Sequence, residues 1–83
     1  MLAHESFNLQ RKRYRFYFLS NEEARMHIHV TCGSGEAKFW LEPIISLAVH
    51  YKLNSKRLSE IQAIIEEHRD DIIQAWKEHF GKR

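Results

Sequence analysis

Two stretches that alternate apolar and polar residues, split by a glycine-rich turn, constrain this chain more than anything else in it. Met26-His27-Ile28-His29-Val30-Thr31-Cys32 has period two, and so does Glu36-Ala37-Lys38-Phe39-Trp40-Leu41-Glu42. Period two marks a half-buried strand, and Gly33-Ser34-Gly35 between them is a turn signal. An antiparallel hairpin follows. Residues opposite each other in such a pair share a face, so parity constrains the register. With Ser34 and Gly35 as the two turn residues, Cys32 opposes Ala37, Val30 opposes Phe39 and Ile28 opposes Leu41. The other face then carries Thr31 with Lys38, His29 with Trp40 and His27 with Glu42. A three-residue loop would set His29 against Phe39 and destroy that separation. A four-residue loop with the same pairing sum preserves it.

The flanks extend the pattern. Tyr14-Arg15-Phe16-Tyr17-Phe18-Leu19 is rich in aromatic residues and reads as a strand. Residues 20–25 are a polar connection. Pro43 has no N–H to donate and ends the ladder. Ile45, Leu47, Val49, Tyr51 and Leu53 alternate with Ser46, Ala48, His50 and Lys52, which predicts a fourth extended segment; a short helical turn after Pro43 competes with it. Asn54 is a good helix N-cap, and Leu53 with Leu58 fits a hydrophobic staple. From there to Phe80, Leu58, Ile61, Ile65, Ile72 and Trp76 form one stripe at steps of three and four. Gly81 follows as a C-cap, with Lys82 and Arg83 beyond it. The predicted helix is about 26 residues and about 39 Å long, longer than the sheet, so its end should protrude. The fold class is therefore α+β: a small antiparallel sheet of three to four strands followed by one long C-terminal amphipathic helix. Residues 1–13 read as a basic, irregular N-terminal arm and residues 14–83 as a single domain.

Eighty-three residues suffice for one core. Charged residues make up 29% and hydrophobic residues 43%, a balance that folds. Cys32 is the only cysteine, which rules out an internal disulfide and fits a reducing compartment. No apolar run approaches the roughly 20 residues of a membrane helix, and the first residues lack the layout of a signal peptide. The chain is expected to be cytoplasmic, with no membrane partner. Net charge is only +2. The excess lies in the first half, where Arg11, Lys12, Arg13 and Arg15 cluster; such a cluster attracts phosphate or forms a solvated arm.

One constellation carries chemistry. His27 and His29 leave one face of a strand roughly 6.6 Å apart, and parity adds Glu42, Trp40, Lys38 and Thr31. If the aromatic strand lies alongside, Arg15 and Tyr17 join them. Imidazoles serve as general acid and base near neutral pH. Cations stabilise a developing phosphorane, and aromatics stack on unpaired bases. His27, His29 and Glu42 are thus the catalytic candidates for ribonuclease-like cleavage. Arg15, Tyr17, Lys38 and Trp40 are the candidates for nucleic-acid binding. The competing reading is a polar outer face with histidines placed for packing or solubility. The same His27, His29 and Glu42 offer three ligands for an open zinc site, but His-x-His is nonspecific; the expectation is no metal and no cofactor.

On the helix, His68 and His79 fall inside the apolar stripe, as boundary histidines or as part of a contact surface. Glu60, Glu67, Asp71 and Glu78 lie on one line away from the stripe and read as solvent-facing. Trp76 and Phe80 would leave an apolar patch at the helix end, a candidate surface for a partner or self-association. Cys32 falls on the core face, as packing.

Met26-His27-Ile28-His29-Val30 after an aromatic strand resembles the domain-of-unknown-function 4160 family. Ala37-Lys38-Phe39-Trp40-Leu41-Glu42-Pro43 is similar to the following strand of one branch. Leu53-Asn54-Ser55 opening a helix, and Ala75-Trp76 with His79-Phe80-Gly81 closing it, match as well. Family members often carry prolines before the His-apolar-His strand, where this chain has Arg25-Met26. The resemblance covers roughly residues 14–81 and brings no established chemistry. It implies a small bacterial partner in a toxin–antitoxin-like gene pair. The combined expectation is a toxin-like, RNA-targeting component acting with a cognate small protein; the alternative is a non-catalytic antitoxin-like or adaptor binding module.

Overall fold

The computed structural model of the chain describes residues 5–19 and 25–80, with side chains from residue 7. Five strands, β1 (Glu5–Arg11), β2 (Tyr14–Leu19), β3 (His27–Cys32), β4 (Gly35–Trp40) and β5 (Ser46–Tyr51), precede two helices, α1 (Ser55–Glu67) and α2 (Arg69–Phe80). The strands form one antiparallel sheet in chain order. The α+β class holds; the strand count and the single helix do not. The expected arm is the missing strand. Among the described side chains of β1, Phe7 and Leu9 pack against the core, too short an alternation to stand out beside Arg11, Lys12 and Arg13. Phe7 stacks on Phe18 with ring centroids 4.9 Å apart.

The β3–β4 register differs from expectation by two residues. Cys32 opposes Gly35, Val30 opposes Ala37 and Ile28 opposes Phe39, which makes Gly33 and Ser34 the turn. Gly33 has φ +59°, and among the described residues only Lys12 and Lys52 share that sign. A positive φ at the first turn residue alone is the type II′ pattern, which wants glycine there. Because the slip is an even number, each side chain keeps its face. Gly35 is then buried against the helix entry: a Cβ there would lie 2.6 Å from Leu53 Cδ2 and 2.7 Å from the Lys52 carbonyl oxygen.

The core lies between sheet and helices. Tyr14, Phe16 and Phe18 of β2, Ile28 and Val30 of β3, and Ala37 and Phe39 of β4 are buried against Ile61, Ile64, Ile65, Ile72 and Trp76. Asn54 caps α1, its side-chain oxygen accepting from the Arg57 N–H at 2.9 Å. The helix bends at His68, whose φ/ψ of −107°/17° leaves the helical region. Its N–H donates to both the Ile64 and Ile65 carbonyls, and its own carbonyl accepts from Ile72 N–H, so the hydrogen-bonded path continues through the bend. Beyond it Ile72 and Trp76 remain buried. The second half therefore stays on the sheet instead of protruding. The expected C-cap at Gly81, with Lys82 and Arg83, lies outside the described residues, as does most of the connection at 20–25.

The acidic line on the helix is not uniformly solvent-facing. Glu67, Asp71 and Glu78 are exposed, but Glu60 clamps the first hairpin to α1. It accepts from the buried Tyr14 hydroxyl at 2.5 Å and from Lys12 Nζ at 2.9 Å. Lys12 occupies the β1–β2 turn at φ +55°, a conformation that costs a non-glycine residue about 1–2 kcal/mol, and its ion pair helps to offset that. The Tyr14 hydrogen bond first, then the Lys12 contact, holds the Glu60 carboxyl below the usual carboxylate range. Burial first, then Glu60, pushes the Tyr14 hydroxyl up.

The depressed carboxyl gives a signed prediction. Its stabilisation is present above the unfolded-state carboxylate pKa and is lost as pH falls through the lower folded value. Glu60→Gln should thus lower the urea midpoint at pH 7, and the gap from wild type should begin to narrow as pH falls below about 4. A gap that stays undiminished from pH 7 down to the acid limit of folding would contradict the clamp.

Candidate nucleic-acid interface

The pairings lay out the outer face, opposite the helices, as cross-strand rows. Asn8, Tyr17, His29, Lys38 and Val49 form one. Gln10, Arg15, Thr31, Glu36 and Tyr51 form the next, and His27, Trp40 and Ser46 a third. The meander thus gathers residues that are far apart in sequence. Tyr17 stacks on His29, with centroids 5.5 Å apart and planes at 21°. The Arg15 guanidinium carbon lies 4.7 Å from the Tyr17 ring centroid. Lys38 Nζ lies 4.6 Å from the Trp40 ring, and the Arg25 guanidinium carbon 4.1 Å from it. Arg15, Tyr17, Lys38 and Trp40 are therefore brought together as expected. All four are partly buried, so each keeps some surface in solvent.

Arg25 is a member that sequence reading missed. Its Nε and Nη2 donate to the Glu42 carbonyl at 3.2 and 3.0 Å, which fixes the guanidinium over Trp40. The available signal was position: Arg25 stands immediately before the His-apolar-His strand.

The three catalytic candidates do not form an open acid–base site. His27 is completely buried. Its Nδ1 lies 2.7 Å from the Arg25 carbonyl oxygen. A carbonyl only accepts, so Nδ1 carries the hydrogen and the tautomer is set. The ring sits among aromatics, 5.2 Å from Trp76, 5.2 Å from His29 and 5.9 Å from Trp40. Being first in β3, it escapes the strict alternation and is covered from the helix side. Glu42 is engaged with the backbone, its carboxylate accepting from Met26 N–H at 3.3 Å. His29 and Glu42 both remain partly accessible. A general acid or base needs hydrogen-bond reach of the substrate, which a fully buried imidazole lacks. Among the described residues, no group of three or more His, Cys, Asp or Glu side chains can hold a metal ion.

The helix end also departs from expectation. Trp76 is only 6% exposed, packed edge-on against Phe18 at 5.2 Å. Phe80 is partly buried against Trp76, at 4.2 Å. The expected partner patch is thus largely absorbed into the core. Of the stripe histidines, His68 is half-buried at the bend and His79 is exposed. Exposed apolar side chains collect instead at Ile44, Leu47, Val49 and Tyr51. The alternation of β5 pointed to an extended segment, and β5 is one, but it stands at an edge of the sheet with its side chains mostly exposed. Cys32, half-buried, accepts from Arg57 Nη1 at 3.2 Å.

A family model described as "Domain of unknown function (DUF4160)" matches residues 14–77, which takes in most of the chain. No curated protein and no solved structure matches it. No helix among the described residues is long and apolar enough to cross a membrane.

The contrast between the two histidines is measurable as stability. His27→Ala removes a buried ring and its hydrogen bond, a loss of about 2–4 kcal/mol. His29→Ala, at a partly exposed position, should cost less than about 1 kcal/mol. Urea unfolding followed by tryptophan fluorescence separates them; equal losses would show that His27 is not the buried member.

Proposed function

The chain belongs to the domain-of-unknown-function 4160 family, and we propose that it is an RNA-binding, non-catalytic component of a toxin–antitoxin-type gene pair. The observation that carries this reading is the cation–aromatic array on the outer sheet face. Tyr17 on His29, with Arg15 beside it, and Trp40 between Arg25 and Lys38 combine stacking surfaces with positive charge. Single-stranded nucleic acid is held by that combination: bases stack on aromatic planes and phosphates meet Lys and Arg. The exposed carboxylates Glu67, Asp71 and Glu78 stand on the helices, so phosphate is favoured on the sheet side. The burial of His27 weighs against cleavage and moves the balance from a toxin-like ribonuclease to a binding module. A cognate partner, or a second copy, would find little apolar surface at Trp76 and Phe80; Ile44 and Leu47 offer more.

Titrating a fluorescent single-stranded RNA at several salt concentrations tests the proposal. Binding should weaken linearly in log–log form with salt. Arg15→Ala and Lys38→Ala should each reduce the slope by about 1, and Trp40→Ala should cost about 1–3 kcal/mol of binding. The RNA should emerge intact. No binding at low salt would reject the reading; cleavage lost in His29→Asn would restore the catalytic alternative.

A further inference from the structure

The outer face carries a cavity of about 290 Å³ beside the array, lined by His29, Glu36, Lys38, Val49 and Tyr51 among others. Its size is near the lower end of small-molecule sites. Its chemistry is mixed. Tyr51 is 55% exposed and Val49 59% exposed, a flat apolar wall. Lys52 Nζ lies 5.4 Å from the Tyr51 ring. Glu36 is the anomaly. It is exposed, it is the one carboxylate in the three outer-face rows, and among the described residues its side chain makes no hydrogen bond or ion pair. Its row neighbours Thr31 and Tyr51 are uncharged. The nearest cation in sequence, Lys38, is held at Trp40 instead.

A carboxylate placed there repels phosphate, so on a phosphate-binding face it has to be matched by donors. An ionised carboxylate only accepts, and it can accept two parallel hydrogen bonds. Among the four RNA bases, guanine alone presents two adjacent donors on its pairing edge, the ring N1–H and the exocyclic N2–H. Cytosine and adenine present an exocyclic donor beside an acceptor, and uracil a single ring N–H. We propose that this cavity is a guanine-selective base pocket, with Glu36 accepting both donors, Tyr51 as the stacking platform and Lys38 near the adjoining phosphate. The inference rests on the RNA-binding reading and adds sequence preference to it. Tyr17 and Tyr51 stand three strands apart, about 14 Å, so they would serve different bases of one strand.

The test uses three single-stranded RNAs of one length, uridine throughout except for a central guanosine, inosine or adenosine. Inosine lacks only the N2 amine. The intact chain should bind the guanosine strand roughly 5- to 50-fold more tightly than the other two. In Glu36→Ala, folded as judged by circular dichroism, that ratio should fall to near one whatever the absolute affinity. Equal binding of guanosine and inosine by the wild type would overturn the pocket while leaving the RNA-binding reading intact. A preference that survives Glu36→Ala would overturn the assignment to Glu36. Binding to none of the three would overturn both this inference and the reading beneath it.

Discussion

The parity of the β3–β4 hairpin is the constraint on which the rest of the molecule depends. Side chains alternate faces along a strand with period two. A turn of two residues, Gly33 and Ser34, makes the pairing sum odd and keeps Ile28, Val30, Ala37 and Phe39 together under the helices. A slip of one residue would put His29 and Phe39 on one face, so that either His29 enters the core or Lys38 enters it while Phe39 goes to solvent. Burying an unpaired ammonium costs far more than a hydrophobic side chain gains, so the register is strongly specified. The close approach of Leu53 to Gly35 reinforces it, since a side chain at that position would collide with the segment that leads into α1.

Once parity is set, the outer face follows. Neighbouring strands place Tyr17, His29 and Lys38 side by side, and Trp40 stands two residues beyond Lys38 on the same face. The array is thus a by-product of meander topology acting on strands whose apolar half is already committed. His27 shows where the logic stops. At a strand's first residue the neighbouring ladder no longer holds the side chain upright, and the Arg25 carbonyl and the Trp76 ring enclose it. One imidazole becomes part of the packing and the other part of the surface, although both share a strand and a parity.

What could be read from the sequence follows the same physics. The faces of β3 and β4, the Asn54 cap and the helical stripe were legible because each is a local pattern with a short period. The pairing within the hairpin was not, because Gly33 and Gly35 both suit a turn and only the contact between Gly35 and Leu53 distinguishes them. Strand β1 was hidden because two apolar residues are too few to outweigh the basic cluster that follows. The bend at His68 and the clamp at Glu60 arise from long-range packing, which helical periodicity does not encode. The cation–aromatic members Arg15, Tyr17, Lys38 and Trp40 were identified by face alone; Arg25 and Glu36 needed the tertiary structure. The histidine pair misled because alternation describes strand interiors better than strand ends.

The central claim is that the outer sheet face, and not the helical face, receives single-stranded RNA. The most direct measurement is a two-dimensional amide spectrum of the isotopically labelled chain, recorded as a short single-stranded RNA is added. The account predicts shifts concentrated at Tyr17, His29, Lys38 and Trp40, with the amides of Glu67, Asp71 and Glu78 unmoved. Shifts concentrated on α1 and α2, or a spectrum unchanged at saturating RNA and low salt, would contradict it.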